Sequence, residues 1–453
     1  LCPMDAALKH LEKNHDRFLK LLLDYLKIPS VSAQRKHDPD SRRAADFIRA
    51  RLDEAGFKTG FFDGKGLPTV HGVRVVDPRK PTLVVYGHYD VQPPEPLDLW
   101  SSPPFEPVVE DGEIRARGCA DDKGPSLALV LAAACWGDAL PINLRFVIEG
   151  EEESGGTVVY DYLRTHKADF AGAKAVAIAD APGIARGVPA LCYGLRGIAA
   201  VEVTVHGPAR DLHSGTYGGA VANPATALAR LLATLHDAKG CVAVQGFHEG
   251  ARPLDDVERK RLAKLPFDER LFLADTGSPA LVGEEGFTTW ERRTARPTVE
   301  INGIFGGYQG EGSKTIIPSR ATAKLTCRLV PGQDPKRVQD AVVTHLQSHA
   351  PKGVRLDIGR GHTAPAAYMD PETPWARAAR AALEKAYGCP AALTREGGSI
   401  PVVSAFREAG LEPLLLGTYA PGEKAHSPNE RYHVEDFLAC IRAGIQLFGK
   451  PPA

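Results

Sequence analysis

The chain has 453 residues, 43% of them hydrophobic and 25% charged, with a formal net charge of -1. That length exceeds what one ordinary core supports, so two domains of a globular protein are expected, and the balanced charge excludes a nucleic-acid or anionic-membrane binder that works by its field. No apolar run reaches the length of a membrane span and no signal-type apolar stretch opens the chain, and cysteines scattered without a disulfide framework lead to the expectation of a reducing cytoplasm.

In chain order, "DRFLKLLLDYLKI" and "SRRAADFIRARLDEAG" carry the 3.6-residue apolar period of amphipathic helices. "TLVVYG" (82–87) reads as a buried strand, and "GCADDKGPSLALVLAAA" predicts a helix starting near Pro125. "NLRFVIEG" (143–150) and "KAVAIAD" (174–180) are further buried strands, joined much later by "EPLLLG" (412–417). Continuous apolar strands separated by helices predict an α/β fold with a mostly parallel sheet covered on both faces.

The pattern changes over 197–364. "GIAAVEVTVHG" and "RATAKLTCRLVP" alternate apolar and polar residues, as half-exposed antiparallel strands do. With the helices "NPATALARLLATLHD" and "PKRVQDAVVTHLQSH" and the strand "GVRLDIG", this is the order of a small ferredoxin-like α+β domain. The helix "TPWARAARAALEKAYG" then returns to the first pattern. The expected division is a larger domain from 1–196 and 365–453, interrupted by a smaller one at 197–364. "GGYQGEGSKT" resembles a phosphate-binding loop, but its lysine falls one residue late and no helix pattern follows, so nucleotide binding is rejected.

Polar residues gather where these strands end. "TLVVYG" runs into His88, Tyr89 and Asp90, "NLRFVIEG" into Glu151, Glu152 and Glu153, "KAVAIA" into Asp180, and "EPLLLG" into the loop carrying His426. Asp121 and Asp122 precede the helix near Pro125. Taken singly, each has an ordinary structural reading: a core histidine, a turn aspartate, an N-cap pair, a solvated acidic run. Taken together they fall on the strand edge where α/β sheets bind ligands. The eight cysteines, at 2, 119, 135, 192, 241, 327, 389 and 440, form no CxxC pair, so a metal would be held by His, Asp and Glu. Two histidines with several carboxylates suit a dinuclear site for Zn²⁺, Mn²⁺ or Co²⁺, whose charge would offset the repulsion among the three glutamates.

"GHYD", "GCADDKG", "EGEEESG", "AIAD", "DLHSGTYGG", "EGGSIP" and "AHSPNE" resemble the signature of the dinuclear metallopeptidases that include carnosinases and cytosolic non-specific dipeptidase. Glutamate carboxypeptidase, aminoacylases and succinyl-diaminopimelate desuccinylase are more distant members of that group. The resemblance implies a zinc-exopeptidase-like catalytic domain whose insertion acts as a lid and dimerisation domain. It implies two divalent ions per subunit, most simply Zn²⁺: one held by His88, Asp121 and Asp180, the other by Asp121, Glu153 and His426, with Asp121 bridging. It gives Glu152 the role of general base, although a slip of one residue would give the two roles to Glu151 and Glu152. Asp90 would orient His88, and a cis Asp121–Asp122 peptide is implied.

His213 of "DLHSG" would stabilise the oxyanion, serving the partner subunit of a homodimer. Arg328 would grip the substrate carboxylate, with Thr315 and Ser399 beside it. The function implied is hydrolysis of small peptides with a free C-terminus. The nearest rival is an N-acyl or N-carbamoyl amino-acid hydrolase on the same metals, and a more remote one is an inactive scaffold.

Overall fold

In the computed structural model, which describes residues 2–452, the four apolar runs become the parallel strands Thr82–His88, Asn143–Glu149, Ala173–Pro182 and Glu412–Tyr419. From one edge the sheet runs Lys58–Phe62, Thr69–Arg74, Asn143–Glu149, Thr82–His88, Ala173–Pro182, Glu412–Tyr419, Ala190–Leu195. The four central strands pair in parallel, and the outer pairings are antiparallel. The flanking strands left no clear pattern in the sequence. "TVHGVR" interrupts its apolar alternation with Gly72, and "KTGFF" is too short to show a period.

All four central strands therefore end at one edge, and helices cover the sheet. Lys123–Trp136 is apolar around almost its whole circumference, which a helix tolerates only when enclosed. It packs between Pro3–Leu26 and Val434–Gly449 and against the strand Thr82–His88. Leu83, Val85, Phe146, Ala177, Leu127 and Ile441 share this core. Each large aliphatic side chain buried there contributes about 1.5–3 kcal/mol.

The chain divides into two compact units: one runs up to Tyr193 and takes in Met369–Thr394 and the residues from Val402 on, and the other is Gly194–Tyr368 with Arg395–Pro401. The segment read as an insertion, 197–364, falls inside the second unit, which also takes in the loop of Ser399. Its sheet is antiparallel, in the order Thr298–Gly306, Arg320–Leu329, Gly197–His206, Arg355–Ala364. Numbered along the chain that is 2-3-1-4, the ferredoxin-like arrangement. The helices Pro224–Ala233 and Pro335–Ser348 cover one face, with Leu228, Leu231, Val342 and Leu346 packed on Val201, Val203, Ala323 and Leu325.

Both helices start by the same device. Asn223 and Asp334 accept backbone N–H groups of the first turn, and each is followed by proline. Losing such a cap costs about 1 kcal/mol. Three short helices, Asp256–Leu262, Glu269–Thr276 and Thr289–Thr294, occupy a stretch that showed no period in the sequence. After Lys314 comes the short strand Ile316–Ile317 rather than a helix, which removes the nucleotide-loop reading on structural grounds too. Among the described residues no helix is long and apolar enough to cross a membrane.

Candidate metal centre

Three of the parallel strands, and the loop after the fourth, deliver polar groups to one place. His88 is the last residue of its strand and is fully buried. Its Nε2 lies 3.1 Å from Asp121 Oδ1 and 3.9 Å from Asp180 Oδ2. On the other side of Asp121, Oδ2 lies 3.0 Å from His426 Nε2, which is also 3.2 Å from Glu153 Oε2. One carboxylate thus spans two imidazoles, one through each oxygen. Two groups of three donors result, His88–Asp121–Asp180 and Asp121–Glu153–His426, each with its ligand atoms within 4.8 Å of one another.

Supporting bonds fix these groups. His88 Nδ1 lies 3.1 Å from the Asp90 carbonyl and 3.3 Å from Asp90 Oδ1. A proton donated there leaves the Nε2 lone pair free to ligate. Asp90 Oδ2 accepts from Ser32 Oγ at 2.6 Å and from the Glu153 amide at 3.1 Å, so Asp90 ties the His88 strand to the Glu153 turn. Gln92 donates to Glu153 Oε2 at 2.8 Å. The Asp121–Asp122 peptide is cis, as expected.

Burial and charge crowding together shift the pKa values of the cluster. Burial first, then the Asp121 charge, raises both Asp180 and Glu153. Burial, reinforced by Glu153 and Asp121 against the counter-pull of His88, pushes Glu152 up to about 8. In the same direction, hydrogen bonds to Asp121 and Glu153 push His426 up to about 11. Burial and crowded negative charge act together on Glu152, Glu153 and Asp180, and the neighbouring carboxylates hold a proton on His426, so positive charge at the middle of the cluster would relieve them. Divalent cations supply it, and the imidazole–carboxylate donors fit Zn²⁺, Mn²⁺ or Co²⁺.

The three glutamates divide. Glu153 faces His426, while Glu152 is part-buried within reach of the charges of His88, Glu153 and Asp121. Glu151 turns away: a Cβ on Gly66 would lie 2.1 Å from its Oε1, and backbone groups of Leu67 and Val158 hold its carboxylate. The glycines at 66 and 156 are what make room for it.

In the second unit, His213 pairs with Ile316 in a two-residue ladder and caps the next turn. Its Nδ1 accepts the Gly215 and Thr216 amides at 3.0 and 3.3 Å. An acceptor at Nδ1 places the proton on Nε2, so the exposed ring presents an N–H donor. The capping bonds to the two amides are therefore what set the tautomer. Arg328 donates to Ser399 Oγ at 3.4 Å, and Ser399 in turn donates to the Arg196 carbonyl at 2.6 Å. Arg196 also holds the Gly397 carbonyl at 2.9 Å, fixing the Ser399 loop. Thr315 is exposed, and its carbonyl accepts the Ser214 amide at 3.0 Å, next to His213. Arg196, Gln92, Ser32 and Glu430 were not singled out in the sequence. Their side chains act through hydrogen bonds between distant segments, which no local spacing reveals.

The sequence matches Peptidase family M20/M25/M40 over residues 84–449. It is 30% identical to the Cys-Gly metallodipeptidase DUG1 of Saccharomyces cerevisiae, across 99% of each chain. It is 29% identical to the Beta-Ala-His dipeptidase of Rattus norvegicus, across 98% of this chain and 94% of that one. Among solved structures, the di-peptidase Dug1p from Saccharomyces cerevisiae is similar with a TM-score of 0.85 at 29% identity, covering 99% of both chains. Human carnosine dipeptidase 1 is similar with a TM-score of 0.84 at 26% identity, covering 99% of this chain and 98% of that one. The matched span contains His88, Asp121, Glu153, Asp180 and His426. With a family match over most of its length, the chain belongs to Peptidase family M20/M25/M40.

Proposed function

We propose that this chain is a cytoplasmic dipeptidase that uses two divalent cations, Zn²⁺ or in its place Mn²⁺ or Co²⁺, to hydrolyse small peptides with a free C-terminal carboxylate. The observation that carries the reading is Asp121, whose two oxygens each approach a different histidine, with Asp180 and Glu153 completing the two donor groups. His88, Asp121 and Asp180 would hold one cation and Asp121, Glu153 and His426 the other. When bound, the cations would supply Lewis acidity and lower the pKa of a nearby water toward neutrality.

The chain's own residues do the rest. Glu152 takes the proton of the attacking water and passes it to the leaving amine. Asp90 keeps His88 in its ligating tautomer. His213 donates from Nε2 to the developing oxyanion. Arg328 pairs bidentately with the substrate carboxylate, and the hydroxyls of Thr315 and Ser399 add hydrogen bonds. Two relatives are named for Cys-Gly and beta-Ala-His. A thiol and an imidazole side chain have little in common, which favours recognition of the peptide's ends over any one side chain.

The active form is read as a homodimer assembled through the second unit, with His213 serving the partner subunit. Ile301, Ile304, Phe305 and Tyr308 on and after the edge strand Thr298–Gly306 are exposed, a run of apolar surface that favours self-association. A net charge of -1 supports a small peptide, rather than nucleic acid or membrane, as the partner.

The test is an activity screen of metal-stripped protein, reloaded with Zn²⁺, Mn²⁺ or Co²⁺, on unblocked dipeptides and N-acyl amino acids. Release of amino acids from the dipeptides is expected, and turnover confined to N-acyl substrates would replace this reading with the acyl-amino-acid one. Arg328→Ala is expected to lower kcat/KM for a dipeptide by about 10–100-fold. That is the loss of a charged hydrogen-bonded contact of about 1.5–3 kcal/mol. A C-terminally amidated dipeptide should lose nothing further in the variant, which steady-state kinetics on both substrates would check.

A further inference from the structure

Glu430 follows His426 closely in "HSPNE" and is fully buried. Its Oε1 accepts the amides of Ala120 and Asp121 at 2.9 and 3.2 Å. Its Oε2 accepts the Gly118 amide at 2.9 Å and Arg117 Nη1 at 2.8 Å. A carboxylate offers about four lone-pair positions, and here all are taken. Three go to the backbone of the turn that presents Asp121. If the carboxylate served only to neutralise Arg117, those amides would need other partners.

We propose that Glu430 is a positioning residue that binds the Asp121 turn to the His426 segment, so that the bridging carboxylate and its histidine are set by one buried group. The proposal rests on the metal-centre reading above. The Glu430 backbone strengthens the tie, its carbonyl accepting the Ala116 amide at 3.1 Å. Asn429 anchors the same segment from its other side, donating to the Leu99 carbonyl and accepting from the Ser101 amide, each at 2.8 Å. Asp121 reaches both histidines only if its Cα stays where the two amides on Oε1 hold it. Glu430→Gln keeps the shape but turns an NH₂ group toward two N–H donors, releasing one side of the turn.

The test counts and weighs metal ions on the full chain, by titrating metal-free protein with Co²⁺ or Zn²⁺ against a chromophoric chelator. Wild type is expected to bind two ions, and fewer would sink the metal-centre reading itself. Given two, Glu430→Gln is expected to weaken binding about 10–100-fold, the usual effect of losing a group that orients ligands. Arg117→Met leaves the three amide bonds in place. It is expected to melt at lower temperature yet bind both ions with near-wild-type affinity. Wild-type affinity in folded Glu430→Gln, or equal losses in both variants, would overturn the proposal. Should Glu430→Gln not fold, Glu430→Asp decides: its shorter arm is expected to weaken metal binding, and unchanged affinity would overturn the proposal equally.

Discussion

Glu152→Gln is expected to retain both metal ions and to lose about 10²–10⁴ of its turnover, the range typical for removal of a general base. The amide keeps the side chain's volume and its place in the cluster but cannot take a proton. Glu151→Gln is the informative companion, because the two residues are adjacent and a sequence reading alone left the register open. The structure turns Glu151 toward Gly66 and Gly156, away from the histidines. Near-wild-type turnover is therefore expected for Glu151→Gln, with some loss of stability from the contacts to Leu67 and Val158. Steady-state kinetics with metal analysis on both variants checks this. An inactive Glu151→Gln beside an active Glu152→Gln would reverse the assignment.

The second large effect is expected from mixing two inactive variants, His213→Ala and Glu152→Gln, after dissociation and reassociation. If His213 serves the partner subunit, each mixed dimer has one intact site, combining Glu152 of one chain with His213 of the other. Random pairing makes about half of the dimers mixed, so about a quarter of wild-type activity should return for a two-fold assembly. If His213 serves its own chain, every site stays broken. A silent mixture in which native mass spectrometry shows mixed dimers would remove the shared-site reading. Because Nδ1 of His213 is occupied by two amides, His213→Ala removes both the Nε2–H donor and a helix cap. His213→Gln and His213→Asn should help separate the two roles.

The sequence made the metal edge legible because its strands are parallel and buried on both faces. Such strands are continuous apolar runs with abrupt ends: His88 stands at one end, Asp180 just inside another, and Glu151–Glu153 just beyond a third. The flanking strands Lys58–Phe62 and Thr69–Arg74 lie outside the buried centre, carry mixed residues and left no comparable mark. The ferredoxin-like unit was legible from the alternation of Gly197–His206 and Arg320–Leu329. The strand Thr298–Gly306 was not, because it is an exposed edge interrupted by Asn302 and Gly303 at a bulge. Roles that depend on contacts between distant segments were also hidden. Nothing in "HSPNE" says that Glu430 reaches back to residues 117–121, or in "DVQPP" that Gln92 holds Glu153. The direction of Glu151 depended on the space left by Gly66, far away in the chain.

The most direct measurement of the central claim is the number of ions held by single-ligand variants, read by elemental mass spectrometry after equilibrium dialysis against buffered Zn²⁺. A centre with one shared carboxylate predicts an unequal pattern. His88→Ala and His426→Ala should each retain about one ion per chain, since each removes a ligand from only one donor group. Asp121→Ala should retain neither, because it strips a ligand from both. Wild type should hold two, as co-catalytic sites require. An Asp121→Ala variant that holds two ions at wild-type affinity, or a wild-type chain that holds none, would contradict the account.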